Sequence, residues 1–223
     1  MNLPPNYVGR TPDRIVSETN YFDSAGYLFR AMSWLSFAET HDEWPPLMYA
    51  CIEGRYGLEY LLFEEAVVST GANLSLTEYK KCLEDPTKIH KLIERITPDH
   101  ARLQQFTRAL VSLAPEVPPV IFWNPKEIMR AWGNLSQYLH WCGHRLETAE
   151  DRDWRRRATE AVKTTLSPIW ERLTSGPSAM MHPKDMHPEI REIWEDFRSG
   201  KIDIDGAKIR INILKPLLSA RYA

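Results

Sequence analysis

The feature that most constrains this chain is a helical spacing of apolar residues that begins near Ser24 and continues to about residue 175. In its first stretch, apolar residues recur three and four positions apart, as Tyr27, Leu28, Ala31, Met32, Leu35 and Ala38. That spacing places apolar side chains on one face of an α-helix. The sequence therefore predicts an all-α fold, a helical bundle of about seven to eight helices.

Helix starts are marked along the chain by a capping residue, in several cases followed by proline. The capping oxygen accepts a free backbone N–H, and the fixed φ of proline suits the first turn. The second helix is expected over 46–69, and a long helix opens at Asn124 and is expected to reach about Glu147. The remaining start signals are Ser75 to Glu78, Asp85-Pro86, Thr97-Pro98 and Thr148 to Asp151.

The spacing changes after a short helix expected over 188–199. Isoleucines then alternate with polar residues on both sides of a turn signal, as Ile202, Ile204, Asp205-Gly206, Ile209, Ile211 and Ile213. Alternation around Asp-Gly is typical of a β-hairpin, because both residues tolerate the positive φ of a tight turn. The sequence thus predicts a small C-terminal hairpin, with a helix over 207–220 as the competing interpretation.

These patterns divide the chain into three parts. Residues 1–19 carry Pro4, Pro5, Gly9 and Pro12 and predict an irregular N-terminal arm. Residues 20–175 form the predicted helical bundle, and residues 176–223 form a C-terminal extension.

Composition excludes several classes of protein. The net charge of -2 is unlike that of a globally basic nucleic-acid binder, although a local basic face is compatible with it. Three widely separated cysteines argue against a disulfide scaffold and a cysteine zinc site. The N-terminus lacks an apolar signal-peptide core, and no window approaches the roughly 18 apolar residues of a membrane span. We therefore expect a cytoplasmic protein with no membrane partner.

A polar stripe on the predicted helix after Asn124 is the main candidate site. It contains Gly133, Ser136, His140, Gly143 and His144. A glycine inside a helix costs about 1 kcal/mol relative to alanine, which indicates close approach by another segment. The second helix carries a similar face with Ala50, Gly54, Gly57 and Leu61, and a close crossing of the two would bring Arg55 or Glu59 near His140.

Two interpretations of this stripe remain open. In the first, His140 performs acid–base chemistry or binds a phosphate, assisted by Asn134, Ser136 or a facing charged residue. In the second, His140 is a hydrogen-bonded histidine of a core or an interface. A metal site at this position is disfavoured, because Cys142 points away from both histidines on a helix. We expect no metal and no cofactor.

Two segments resemble HEPN domains. Residues 50–62, ACIEGRYGLEYLL, resemble the second helix of that family, and residues 134–140, NLSQYLH, resemble the helix that carries its polar-then-histidine motif. HEPN domains are α-helical bundles, often homodimeric; many are metal-independent ribonucleases, and others bind or scaffold. The resemblance implies a homodimer and RNA or a nucleotide as the ligand.

The sequence departs from the ribonuclease motif of that family at one position. The motif has an arginine four to six residues before the histidine, whereas Asn134 stands six and Arg130 ten residues before His140. We therefore expect a HEPN-like binding or scaffolding protein, with a rearranged metal-independent ribonuclease as the alternative. Candidate catalytic residues are His140, Asn134 and Ser136, and candidate binding residues are Arg55, Glu59, Arg130, His144 and, from an arginine run that also suits a solvated face, Arg155 and Arg156.

Overall fold

A computed structural model of the chain describes residues 23–85, 88–114, 117, 120–140 and 150–222. This part of the chain contains nine α-helices and no strand, which confirms the all-α prediction. The predicted N-terminal arm lies outside the described residues. The helices are α1 (Ser24–His41), α2 (Trp44–Ser69), α3 (Leu76–Glu84), α4 (Ile89–Ile96), α5 (His100–Ser112), α6 (Pro125–Ser136), α7 (Arg152–Leu173), α8 (Pro188–Arg198) and α9 (Ile204–Tyr222).

Helices α1 and α2 form an antiparallel pair joined by two residues. α1 ends at Asp42, which takes a left-handed φ of 54° and donates its backbone N–H to Ala38. α2 then begins with prolines in its first turn, as the sequence predicts. Because α2 also packs against α4, α6 and α7, it forms the centre of the bundle.

Two apolar cores hold the fold together. The larger one surrounds α2 and draws on α1, α4, α6 and α7. The smaller one lies between α5 and the C-terminal helices α8 and α9, and its largest members are Phe106, Trp194 and Phe197. The rings of Phe106 and Trp194 meet edge to face at 5.4 Å, so α5 carries the contact between bundle and extension.

The caps explain where most helices begin. Ser75 and Glu78 form a reciprocal capping box at α3, and the Asn124 side chain accepts the Lys126 backbone N–H at 3.0 Å, both as predicted. α7 is capped by Asp151, which accepts from the Asp153 backbone. Asp99, rather than Thr97, is the N-cap residue of α5.

The predicted C-terminal hairpin is wrong, because this segment forms helix α9. Asp203 caps it by accepting the Gly206 backbone N–H at 2.7 Å, so Asp-Gly lies in a first helical turn. Ala207 and Ile211, four residues apart, are buried in the smaller core. Ile209 and Ile213 lie on the opposite, solvent-facing side and are 61% and 64% exposed.

Candidate functional site

Helix α6 is shorter than the sequence predicts. It ends at Ser136 instead of continuing to about Glu147. Turns follow, in which the Tyr138 backbone N–H donates to the Leu135 carbonyl and the Leu139 N–H donates to the Ser136 carbonyl. His140 follows these turns and is exposed. The part of the stripe that the structure describes, from Gly133 to His140, is therefore not one helical face, and Gly143 and His144 lie outside the described residues.

Gly133 does not mark a close approach by another segment, contrary to the prediction, whereas Gly54 and Gly57 of α2 do. A Cβ added at Gly133 would meet no atom within 4 Å. A Cβ at Gly54 would lie 2.8 Å from a methyl group of Leu135, and one at Gly57 would lie 2.7 Å from Leu28. The glycines of α2 thus allow close approach of α1 and α6, whereas Gly133 allows none.

Arg55 and Glu59 do cross to α6, as predicted, but their contacts are with Trp132. Glu59 accepts the Trp132 indole N–H at 2.8 Å. The guanidinium of Arg55 lies 4.3 Å from the centre of the same ring, and its Nη2 lies 3.7 Å from Glu59. These contacts fix Trp132 against α2 and do not involve the His140 imidazole.

Ser136 is not placed for chemistry with His140. Its side chain is buried, and its hydroxyl donates to the Trp132 carbonyl at 2.8 Å within α6. Asn134 is exposed on the opposite side, which faces α7. Within the described residues, no hydrogen bond or ion pair joins any two of the three candidate catalytic residues.

The structure forms a groove between α6 and α7 that contains Arg130 and Asn134, two of the predicted residues. It consists of two adjoining hollows of about 390 and 490 Å³ that share Asn134, Thr164 and Thr165. Tyr138 lies at one end and Trp123 at the other. Asn134 and the threonines offer amide and hydroxyl groups along its length.

Three arginines and two glutamates line this groove. Arg172 lies with its Nη1 3.7 Å from Glu127 and its guanidinium 4.9 Å from the Trp123 ring, and it also donates to the Phe122 carbonyl. Arg130 and Arg157 line the groove without an ion pair to any other described residue. The groove therefore presents two guanidinium groups that form no ion pair within the described part of the chain, although Glu127 and Glu160 also line it.

The other predicted arginines have structural contacts. Arg155 binds both carboxylate oxygens of Asp42, at 3.1 and 3.0 Å, and so ties the start of α7 to the end of α1. Its hydrogen bond is the main reason that the pKa of Asp42 is lowered. Arg156 is exposed and lies 3.9 Å from Asp153.

Sequence reasoning missed a buried polar group beneath the groove. His100 Nε2 lies 2.7 Å from Glu65 Oε1, and Gln104 donates to Glu65 at 3.2 Å and to the Trp123 carbonyl at 2.6 Å. Burial raises the pKa of Glu65, while the His100 contact lowers it. Because these residues come from α2 and α5, no local pattern marks them.

The fold and site define an α-helical bundle with a polar, arginine-bearing groove. Comparisons with protein-family models, curated proteins and solved structures find no match to this chain. Over the described ranges, no helix is both long and apolar enough to cross a membrane. In the same part of the chain, no three His, Cys, Asp or Glu side chains are grouped to hold a metal ion.

Proposed function

We propose that this chain is a HEPN-like binding protein that recognises the phosphates of RNA through the groove between α6 and α7. The observation that carries the proposal is the pair Arg130 and Arg157, which face the groove without a carboxylate partner among the described residues. Guanidinium groups suit phosphate because their fork matches two oxygens.

The other lining groups fit the same ligand. Asn134 and Thr164 supply hydrogen-bond donors and acceptors for phosphate or ribose oxygens between the two arginines. The Thr165 hydroxyl donates to the Ala161 carbonyl within α7, so towards a ligand it can only accept. Tyr138 borders one end and offers a ring against which a base can stack. A ligand with both phosphates and flat rings therefore uses the whole groove.

Binding is favoured over catalysis by the positions of the candidate catalytic groups. The Ser136 hydroxyl is bonded within its own helix, and no arginine stands at the motif position before His140. His140 remains exposed, two residues beyond Tyr138 of the groove. Of the candidate catalytic groups, the ribonuclease alternative thus depends on His140 alone. The variant His140→Ala therefore tests it.

The direct test measures binding of a fluorescein-labelled, 16-nucleotide single-stranded RNA by anisotropy at 0.1 M salt with EDTA. Arg130→Ala/Arg157→Ala is expected to raise Kd at least tenfold, because two charge-assisted hydrogen bonds contribute about 1.5–3 kcal/mol each. The control Lys201→Ala/Lys208→Ala removes the same charge from exposed pairs with Asp196 and Asp205 and should leave Kd within about twofold.

The same samples separate the alternatives. Intact RNA on a denaturing gel supports a binding protein, whereas cleavage that disappears in His140→Ala replaces this assignment with a ribonuclease. The groove assignment is refuted if Arg130→Ala/Arg157→Ala and Lys201→Ala/Lys208→Ala change the Kd equally, or if the wild type does not bind RNA. Light scattering of the wild type tests the homodimer that the resemblance implies: a monomer mass would remove that part of the proposal.

A further inference from the structure

A second cationic groove lies between α3 and α4. This hollow of about 390 Å³ has the buried side chains of Ile89 and Leu92 in its lining. Four cations and two carboxylates surround it: Lys81, Lys88, Lys91, Arg95, Glu84 and Asp85. Since the whole chain has a net charge of -2, positive charge is concentrated here.

Four cations against two carboxylates leave a net charge of about +2 in the lining of this groove. Lys88 pairs with Asp85 at 2.7 Å. Lys81, Lys91 and Arg95 are exposed and form no ion pair with any other described residue. A groove with an apolar wall and an excess of exposed cations fits a ligand that is both anionic and partly apolar, as a strand of nucleotides is.

Helix α6 connects this second groove to the first. Lys126, at the start of α6, pairs with Glu94 of α4 at 2.9 Å, so the two helices are adjacent at their exposed surfaces. Lys126 and Arg130 are four residues apart and therefore lie on the same side of α6. The Lys126–Glu94 pair thus lies between the α3–α4 groove and Arg130 at the edge of the α6–α7 groove, and because Glu94 compensates Lys126, the unpaired cations belong to the two grooves themselves.

We propose that one single-stranded RNA occupies both grooves and crosses α6 between them, an inference that rests on the function proposed above. Neighbouring helix axes lie about 8–10 Å apart, so the two grooves are separated by roughly 20 Å. At about 3.4 Å or more per nucleotide, about six nucleotides at most bridge that distance. The ligand is therefore a polymer, because a single nucleotide fills only one groove.

The test compares the salt dependence of binding for two RNA lengths, the 16-nucleotide strand and a 4-nucleotide strand. Each phosphate contact of a single strand contributes about 0.7 to the slope of log Kd against log salt concentration. Lys91→Ala/Arg95→Ala should lower the slope for the long strand by about 1.4. Lys201→Ala/Lys208→Ala should leave it unchanged.

The two lengths decide whether the grooves act together. With the long strand, Lys91→Ala/Arg95→Ala and Arg130→Ala/Arg157→Ala should each raise Kd at least tenfold. Loss of either groove should weaken the 4-nucleotide strand much less, because the other groove still binds it.

Failure of this inference is distinct from failure of the proposed function. If only Arg130→Ala/Arg157→Ala weakens binding of the long strand, the α6–α7 groove stands and the shared strand is overturned. If only Lys91→Ala/Arg95→Ala weakens it, the proposed groove fails and the shared strand with it. A wild type that binds neither strand overturns both.

Discussion

Replacing Gly57 with alanine tests the close packing of α1 on α2. The new Cβ would lie 2.7 Å from Leu28 Cγ and 3.2 Å from the Leu28 backbone nitrogen, which cannot move without shifting α1. Overpacking of this kind costs about 1–3 kcal/mol, and contact with backbone places it near the upper end. Alanine favours the helix by about 1 kcal/mol over glycine. The expected net loss is therefore about 2 kcal/mol in the free energy of unfolding.

Two other glycines complete the experiment. Gly133→Ala meets open space and should stabilise the protein by about 0.5–1 kcal/mol. Gly54→Ala meets only the methyl ends of Leu135 and Leu166, so its effect should fall between the other two. Urea unfolding followed by tryptophan fluorescence measures all three. A Gly57→Ala protein as stable as Gly133→Ala would refute the packing argument.

Two further predictions concern Glu65, which is buried, and its neighbour Glu64, which is half-buried. His100→Ala removes the shorter of the two hydrogen bonds to the buried Glu65 side chain and leaves Gln104 as its donor, so it should lower the free energy of unfolding by about 1–3 kcal/mol in urea; an unchanged stability would contradict the buried contact. Burial raises the pKa of Glu64 to about 7, although Ser24 donates two hydrogen bonds to it. The folded state thus binds this proton more tightly than the unfolded state, so the stabilisation is complete below about pH 4.5 and is lost as the pH rises through 7. Glu64→Gln should reduce the loss of stability between pH 5 and pH 8, measured as the change in the urea midpoint. An unchanged loss would refute the assignment of this pH dependence to Glu64.

The sequence predicted those parts of the fold that depend on local signals. Ser75 and Asn124 cap helices because the capping oxygen and the N–H that it accepts are within three residues. The end of α6 has no such signal, since residues 137–142 contain neither glycine nor proline. The alternating isoleucines led to a wrong prediction because Ile211 also fits a helical spacing with Ala207, and packing against α5 and α8 favours that alternative.

Two residues of the proposed groove, Arg130 and Asn134, are among those that the sequence analysis selects. Both are exposed and lie four residues apart on α6, while their roles stay predictions. Their partners Arg157, Thr164 and Thr165 belong to α7, and in the sequence they are indistinguishable from an ordinary solvated face. A groove between two helices depends on how those helices pack, which the spacing within either one does not determine.

Helix α5 faces two ways. On one side His100 and Gln104 hydrogen-bond to Glu65 of the central helix, and on the other Leu103 and Phe106 are covered by α8 and α9. A chain shortened to residue 175 would expose the apolar side chains of that second side to water. The final fifth of the polypeptide therefore shields an apolar face of the bundle from water. A variant without it should form aggregates instead of a smaller soluble domain.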